Sequence, residues 1–169
     1  MKPKNEELNN LVRLVLVGAV TSLNEIWLHS EHVSPEYCIN PGPLLGVTRS
    51  VLLQGFTFSS NNWNMVVRSN DWKGIKLFHL RDCFVSKNCS ASVVKVCRRA
   101  KVAELEDVDF EDFREFSRVF LETKDPNGCE MIWFWNKTVS KHRKDILQLS
   151  KQLGWRVCRE TEDDINIVQ

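Results

Sequence analysis

Cations and aromatic side chains alternate with apolar residues in GIKLFHLR (74–81), a pattern that could bind single-stranded nucleic acid. An extended backbone there places Lys76 and Phe78 on one face and Ile75 and Leu77 on the other, because neighbouring residues of a strand point to opposite sides. In such a site cations contact phosphates and aromatic rings stack on bases. The alternation predicts Lys76 and Phe78 as binding residues and Ile75 and Leu77 as core residues.

Neighbouring segments extend this pattern. WNMVVRS (63–69) and SVVKVCRRAKVAEL (92–105) also read as strands with one apolar and one cationic face, and GFTFSSNNW (55–63) reads as an aromatic loop. Arg98 falls on the apolar side of its strand, which requires a β-bulge or an assignment shifted by one residue. The alternative interpretation is that outward positions of any half-solvated sheet are polar. The candidate nucleic-acid-binding residues are Phe56, Phe58, Trp63, Arg68, Trp72, Lys76, Phe78, Lys95, Arg98, Arg99 and Lys101.

The composition limits how such binding could work. The 169 residues suit one domain, and 43% of them are hydrophobic, enough to build a core. The net charge is only +1, unlike that of proteins that hold duplex DNA by charge alone. Nine Phe and six Trp accompany a single Tyr, so stacking would have to supply much of the affinity.

Other reactive residue types lack a recognisable catalytic or metal-binding arrangement. His29, His32 and Cys38 have the spacing H-x2-H-x5-C, but a fourth zinc ligand is not evident. The acidic run ELEDVDFED (104–112) has no partnering histidine in the sequence, and no nucleophile elbow, P-loop or dinucleotide fingerprint is present. We therefore expect a non-enzymatic protein without a metal or cofactor.

Six cysteines raise the question of disulfides. The opening residues, MKPKNEELNN, show no apolar signal-peptide core, so we expect a reducing compartment and free, mostly structural thiols. No apolar run approaches the roughly 20 residues of a membrane-spanning helix, and no membrane association is expected.

The order of elements predicts a mainly β fold. Leu11–Val20 could be a strand or a short buried helix, Ser140–Leu153 reads as a helix, and no internal repeat is evident. The layout is that of a small antiparallel OB-type barrel with a C-terminal helix, with a PH-like roll or a generic β-sandwich as alternatives. The predicted strands are 44–54, 63–69, 75–81, 91–105, 113–123 and 129–137. The predicted domains are an N-terminal extension (1–43), the OB fold (44–158) and a loose acidic tail (159–169).

Four segments in this order, GIKLFHL, SASVVKVCRRAKVAEL, FREFSRVFLETKD and SKHRKDILQLSKQLG, resemble the telomere end-binding OB fold of the protection-of-telomeres family. The resemblance covers roughly residues 44–155. It implies that Phe78 is the aromatic of the family's third strand, that Arg98 is the basic residue of its fourth strand, and that 55–63 folds over the DNA. Ser90–Ser92 stand where the family has Gly-Asp, and Cys97 replaces its histidine.

Two functional hypotheses follow. The resemblance implies a protein that binds single-stranded telomeric DNA and protects chromosome ends in the nucleus, together with other telomere or chromosomal proteins. The alternative is a non-enzymatic protein-interaction module, OB or PH-like, that scaffolds a chromosomal complex. In MIWFW (131–135), Trp133 and Trp135 share one face and Ile132 and Phe134 the other, so both faces are apolar. This segment and the acidic tail would then contact the partner.

Overall fold

The chain forms a mixed α/β structure, and the prediction of a small antiparallel barrel is wrong. The computed structural model describes residues 5–31, 42–59, 74–123 and 128–169. Its main feature is a seven-stranded sheet in the order β1-β2-β4-β6-β8-β10-β9, in which the first five strands are parallel. The strands β10 and β9 complete the sheet in antiparallel orientation. Parallel neighbours cannot be joined by hairpins, which excludes the OB and PH-like arrangements.

The elements follow one another in a regular order. The helices are α1 (Asn5–Leu16), α2 (Gly42–Gly46), α3 (Ser90–Arg99), α4 (Phe113–Glu122) and α5 (Lys137–Leu153). The strands are β1 (Leu23–His29), β2 (Thr48–Gln54), β3 (Thr57–Phe58), β4 (Leu77–Arg81), β5 (Phe84–Val85), β6 (Val102–Glu106), β7 (Asp109–Phe110), β8 (Met131–Trp135), β9 (Arg156–Glu160) and β10 (Asp164–Val168).

The parallel strands are structural repeats stacked in chain order, which the sequence analysis did not detect. Leu53, Leu80, Leu105 and Phe134 occupy one register row across β2, β4, β6 and β8, so an equivalent position recurs every 25–29 residues. The short strands β3, β5 and β7 form a second parallel sheet of three strands. Such stacking of one strand-containing unit on the next is the architecture of a solenoid.

Two consecutive repeats place buried residues at the same intervals. In the second repeat Ile75, Phe78, Leu80, Cys83 and Val85 are all 2% exposed or less. Their spacing is that of leucine-rich repeats, L-x-x-L-x-L-x-x-(N/C)-x-L. The following repeat has the equivalent buried residues Ala100, Ala103, Leu105, Val108 and Phe110.

The turn after each long strand also repeats. Gly55, Asp82, Asp107 and Asn136 follow β2, β4, β6 and β8, and all four have a positive φ, between 51° and 75°. Glycine, asparagine and aspartate are the residues that adopt this left-handed conformation most readily. The amide of Gly55 donates to Arg81 O and that of Asp82 to Glu106 O, which continues the ladder one residue beyond the strands.

Buried polar atoms hold the turns together. The thiol of Cys83 donates to Leu53 O (3.4 Å) and Arg81 O (3.2 Å), as a side chain at the N/C position of such a repeat can do. Burial raises the pKa of this thiol to about 12, so it stays protonated and available as a donor. Thr138 Oγ1 accepts from Val108 N and donates to Val108 O. In the described structure the repeat of β8 has no short strand beside β7, and this side chain bonds the backbone there instead.

Two predicted strands are largely helical, although the end of the strand predicted at 91–105 forms β6 from Val102 onwards. Residues 90–99 form α3, and its buried residues Ser90, Val93, Val94 and Cys97 have the i, i+3, i+4, i+7 spacing of a helix face. Residues 113–122 form α4, where Phe113, Phe116 and Phe120 line the buried face and Asp112 accepts from Glu115 N at 3.0 Å as the N-cap. Residues 93–97 also alternate in part between apolar and polar side chains, and tertiary packing selects the helical period there.

Three predictions agree with the structure within a few residues. The strand predicted at 75–81 corresponds to β4, the strand at 129–137 to β8, and the helix Ser140–Leu153 to α5. In the segment predicted as one strand at 44–54, α2 precedes β2. The strand predicted at 63–69 lies outside the described residues.

Strands on both sides of the predicted OB domain belong to the main sheet. Strand β1 pairs with β2, and β10 inserts between β8 and β9, so residues 164–168 are not a loose tail. The predicted boundaries at 43/44 and 158/159 therefore lie within one layered structure. The five described cysteines are free, and Cys158 alone among them is exposed. Within the described ranges no helix is long and apolar enough to cross a membrane.

Candidate functional site

The residues predicted to bind nucleic acid that lie in the described ranges do not form one surface. Phe58 and Phe78 are 2% and 0% exposed, so neither ring is available for base stacking. The predicted orientation of β4 is wrong in part, because Phe78 belongs to the core and Leu77 lies on the opposite, half-exposed side. Ile75, which precedes the strand, is buried as predicted. Phe56 packs against the core and stacks on Phe58 at 6.1 Å.

The predicted cations are divided among several places. Lys95 and Arg99 lie on α3, and Lys76 is an exposed residue just before β4. Lys101 forms an ion pair with Glu130. Because α3 is a helix, these side chains do not line one face of a strand. Trp63, Arg68 and Trp72 lie outside the described residues.

Arg98 has a structural position. It is 9% exposed, its Nε and Nη2 donate to Phe120 O, and its guanidinium carbon lies 3.8 Å from the centre of the Phe120 ring. Phe120 O is one of the last carbonyls of α4, where a cation also interacts favourably with the helix dipole. Arg98 therefore connects α3 to the end of α4. Since Arg98 lies on a helix, neither a β-bulge nor a shifted strand assignment is needed to explain its position among apolar residues.

A metal site is not evident in the described structure. No group of three His, Cys, Asp or Glu side chains there could hold a metal ion. His29 lies at the end of β1, whereas His32 and Cys38 of the H-x2-H-x5-C pattern lie outside the described ranges.

The most distinctive surface is the face of the main sheet that points away from the helices. The helices pack against strand residues such as Phe134, whose ring contacts Phe113 of α4 at 6.0 Å. The alternate residues of the same strands point the other way and stay partly exposed. We call this side the open face. Its residues on β2, β4, β6 and β8 are Ser50, Leu52, Gln54, Leu77, His79, Arg81, Val102, Glu104, Glu106, Met131, Trp133 and Trp135.

Charged groups occupy the centre of the open face. His79 Nε2 lies 3.0 Å from Glu106 Oε2, and His79 Nδ1 lies 3.4 Å from Glu104 Oε2, so two carboxylates flank the imidazole. Arg81 Nε approaches Glu106 Oε1 at 3.6 Å. Burial raises the pKa of Glu104; Glu106 adds to this rise and His79 opposes it. The side chains of His79, Glu104 and Glu106 are 14%, 19% and 13% exposed.

Two indoles lie beside this charged centre. The rings of Trp133 and Trp135 have centroids 4.5 Å apart and planes inclined by 50°. Trp133 Nε1 donates to Asp164 Oδ1 at 3.4 Å, and Asp164 Oδ2 is paired with Arg159 Nε at 2.9 Å. Trp135 Nε1 is shielded from solvent and has no hydrogen-bond partner in the described structure.

The sequence analysis predicted Trp133 and Trp135 as contact residues under the protein-interaction hypothesis, and it missed His79, Glu104 and Glu106. The signal that could have found them is the shared pattern of LFHLR, VAELE and MIWFW, which places the first, third and fifth residues on one face. Aligning these three segments requires the repeat to be recognised first.

Comparison with known proteins does not identify a family. The chain matches no protein-family model, no curated protein sequence and no solved structure.

Proposed function

We propose that this protein is a non-enzymatic protein-interaction module whose open face binds the partner. The observation that carries the proposal is the ordered array on that face. Met131 lies in one register row with Val102 and Leu77, and Trp133 and Trp135 follow on the same strand in the rows of Glu104 and Glu106. The exposed sheet of stacked repeats is an extended surface well suited to a protein ligand.

The composition of the open face supports a protein partner. Tryptophan, methionine and arginine are enriched at protein interfaces, and tryptophan is frequent among the residues that dominate binding energy. The partly exposed apolar residues Leu77 and Val102 form the register row next to the polar row of His79 and Glu104. Binding of a partner would remove the large Trp133 and Trp135 rings from water.

The hypothesis of single-stranded DNA binding depended on an arrangement of side chains that the structure does not have. The predicted site required Phe78 on the surface and the cations of 92–105 on one strand face. Phe78 is in the core and α3 carries three of those cations. Nuclear and telomeric roles came from a resemblance to an OB fold, so they do not enter this proposal.

Site-specific photo-crosslinking tests the proposal. A benzophenone amino acid at Leu77, the first residue of β4 on the open face, should give defined adducts in a cell extract, whereas the same group at exposed Gln148 of α5 should not. The double variant Trp133→Ser/Trp135→Ser should lose the Leu77 adducts. Lys144→Ser/Gln148→Ser is the matched control on the helical side and should keep them. Equal adducts from both positions, or adducts that survive loss of both indoles, would contradict the proposal.

A further inference from the structure

The two indoles of the open face each lie between acidic or amide side chains in the sheet register. Trp135 has Glu106 on one side and Asp164 on the other, and Trp133 has Glu104 and Asn166. Neighbouring strands are about 4.8 Å apart, so each ring has an oxygen-bearing side chain on each flank.

This arrangement matches a guanidinium group. Arginine stacks flat on aromatic rings, and its planar edge donates hydrogen bonds to carboxylates in a forked geometry. A group stacked on Trp133 could direct its N–H groups towards Glu104, while its charge interacts with the ring face. An uncharged side chain of the same shape would gain only the stacking.

The charges already present leave one carboxylate without a guanidinium. Arg81 approaches Glu106, and Arg159 pairs with Asp164. Glu104 has one polar side-chain contact among the described residues, the 3.4 Å approach to His79 Nδ1. Its side chain is only 19% exposed, and burial raises its pKa. A carboxylate that is partly removed from water in this way would be stabilised by an incoming cation.

We propose that the side chains of Glu104, Trp133, Trp135 and Asn166, which are neighbours in the sheet, form a binding pocket for an arginine side chain of the partner protein. This inference rests on the proposed function and adds the chemistry of the ligand. Arg81 and Arg159 lie on the strands either side of the pocket, so an arginine presented over Trp133 and Glu104 would enter between two existing ion pairs.

Titration of the intact protein with small probes tests the inference. The probes are N-acetyl-arginine methylamide and its neutral analogue N-acetyl-citrulline methylamide, together with the lysine equivalent. The readout is the pair of indole Nε1–H signals of Trp133 and Trp135 in ¹H–¹⁵N spectra, assigned with Trp133→Phe and Trp135→Phe. The arginine probe should shift both signals saturably, and citrulline should need about tenfold higher concentration.

Matched variants separate the pocket from general charge effects. Glu104→Gln should weaken arginine binding about threefold or more, since a charge-assisted hydrogen bond becomes a neutral one. Glu122→Gln, on the exposed side of α4, should leave it unchanged. An equal response to citrulline or lysine, or an unchanged affinity of Glu104→Gln, would overturn the inference.

Failure of the arginine inference can be distinguished from failure of the proposed interaction function. If arginine binding is absent while Leu77 adducts persist and depend on the two indoles, the open face binds a partner without an arginine in this pocket. If both experiments fail, the interaction role of the open face falls as well.

Discussion

Individual residues on β4 show how little separates a core side chain from a surface one. Phe78 is fully buried, whereas Leu77 beside it lies on the open face. Both are large and apolar, so residue type alone does not distinguish their roles. Their different surroundings lead to opposite expectations for substitution.

Replacing Phe78 with Ala should destabilise the protein by about 3–5 kcal/mol, because it leaves a cavity among fully buried neighbours. Leu77→Ala should cost less than about 1.5 kcal/mol, since its side chain already contacts water. Urea unfolding followed by circular dichroism measures both. A larger loss for Leu77→Ala than for Phe78→Ala would invalidate the assignment of the two faces.

The raised pKa of Glu104 has a consequence for the pH dependence of stability. The folded state holds this proton more tightly than the unfolded state, so stability is lost as pH rises from about 4, the usual carboxyl range, through the raised value. Glu104→Gln cannot ionise. Its stability relative to the parent protein should therefore increase between about pH 4 and pH 7.

Asp109→Asn provides a contrast of opposite sign. Lys141 and Lys137 lower the pKa of Asp109, so its contribution is present at neutral pH and disappears as the carboxylate protonates in acid. The stability of Asp109→Asn relative to the parent should fall as pH rises from about 2 to 5. Thermal unfolding between about pH 2 and pH 7 measures both variants. A difference independent of pH for Glu104→Gln would refute the account of its burial.

At the level of elements, helix α4 depends on a local signal that the sequence displays. Asp112 and Glu115 have the D-x-x-E spacing of a capping box, and the Asp112 side chain accepts from Glu115 N. The same carboxylate pairs with Lys87 at 3.0 Å, which links α4 to the turn before α3. Loss of the cap should be measurable without disturbing the core.

Asp112→Ala should lower the free energy of unfolding by about 0.5–2 kcal/mol, because the amide of Glu115 loses its acceptor. Asp112→Asn keeps an N-cap acceptor and removes the charge, so it should retain most of the stability. Denaturant unfolding of the two variants separates the cap from the ion pair. Equal losses in both would assign the effect to Lys87 instead.

For the whole molecule, the antiparallel hairpin of β9 and β10 closes the end of the repeat stack. Ile165 and Ile167 of β10 are fully buried, and all five residues of β9 are exposed. Repeat proteins need such a terminal unit with a polar outer side for solubility. Arg156, Arg159 and Glu160 provide charges that disfavour edge-to-edge association.

Truncation after Gly154 should therefore expose the β8 edge and cause self-association. Size-exclusion chromatography with light scattering should show oligomers or aggregates for the truncated chain and a defined species for the full chain. Val157→Ala, an exposed substitution within β9, should behave like the parent protein, within about 0.5 kcal/mol in stability. A truncated chain that remains a stable monomer would show that the hairpin is not a cap.

The sequence by itself determined the segments that are strongly apolar or strongly periodic. Strands β4 and β8 and helix α5 were predictable, and the alternation in 131–135 placed Trp133 and Trp135 on one face of their strand. The recurring positive-φ residues Gly55, Asp82, Asp107 and Asn136 were also in the sequence, although their meaning depends on aligning repeats of unequal length.

Only the tertiary structure decided the rest. The segment 90–99 satisfies both a two-residue and a 3.6-residue period, and packing of Val93, Val94 and Cys97 into the core selects the helix. Strand β4 carries large apolar residues on both faces, so its sequence does not show which face is buried. The position of β4 between β2 and β6 in the sheet decides that Phe78 belongs to the core. The pocket of Glu104, Trp133, Trp135 and Asn166 joins three strands. Such a pocket exists only when long-range register brings these residues side by side.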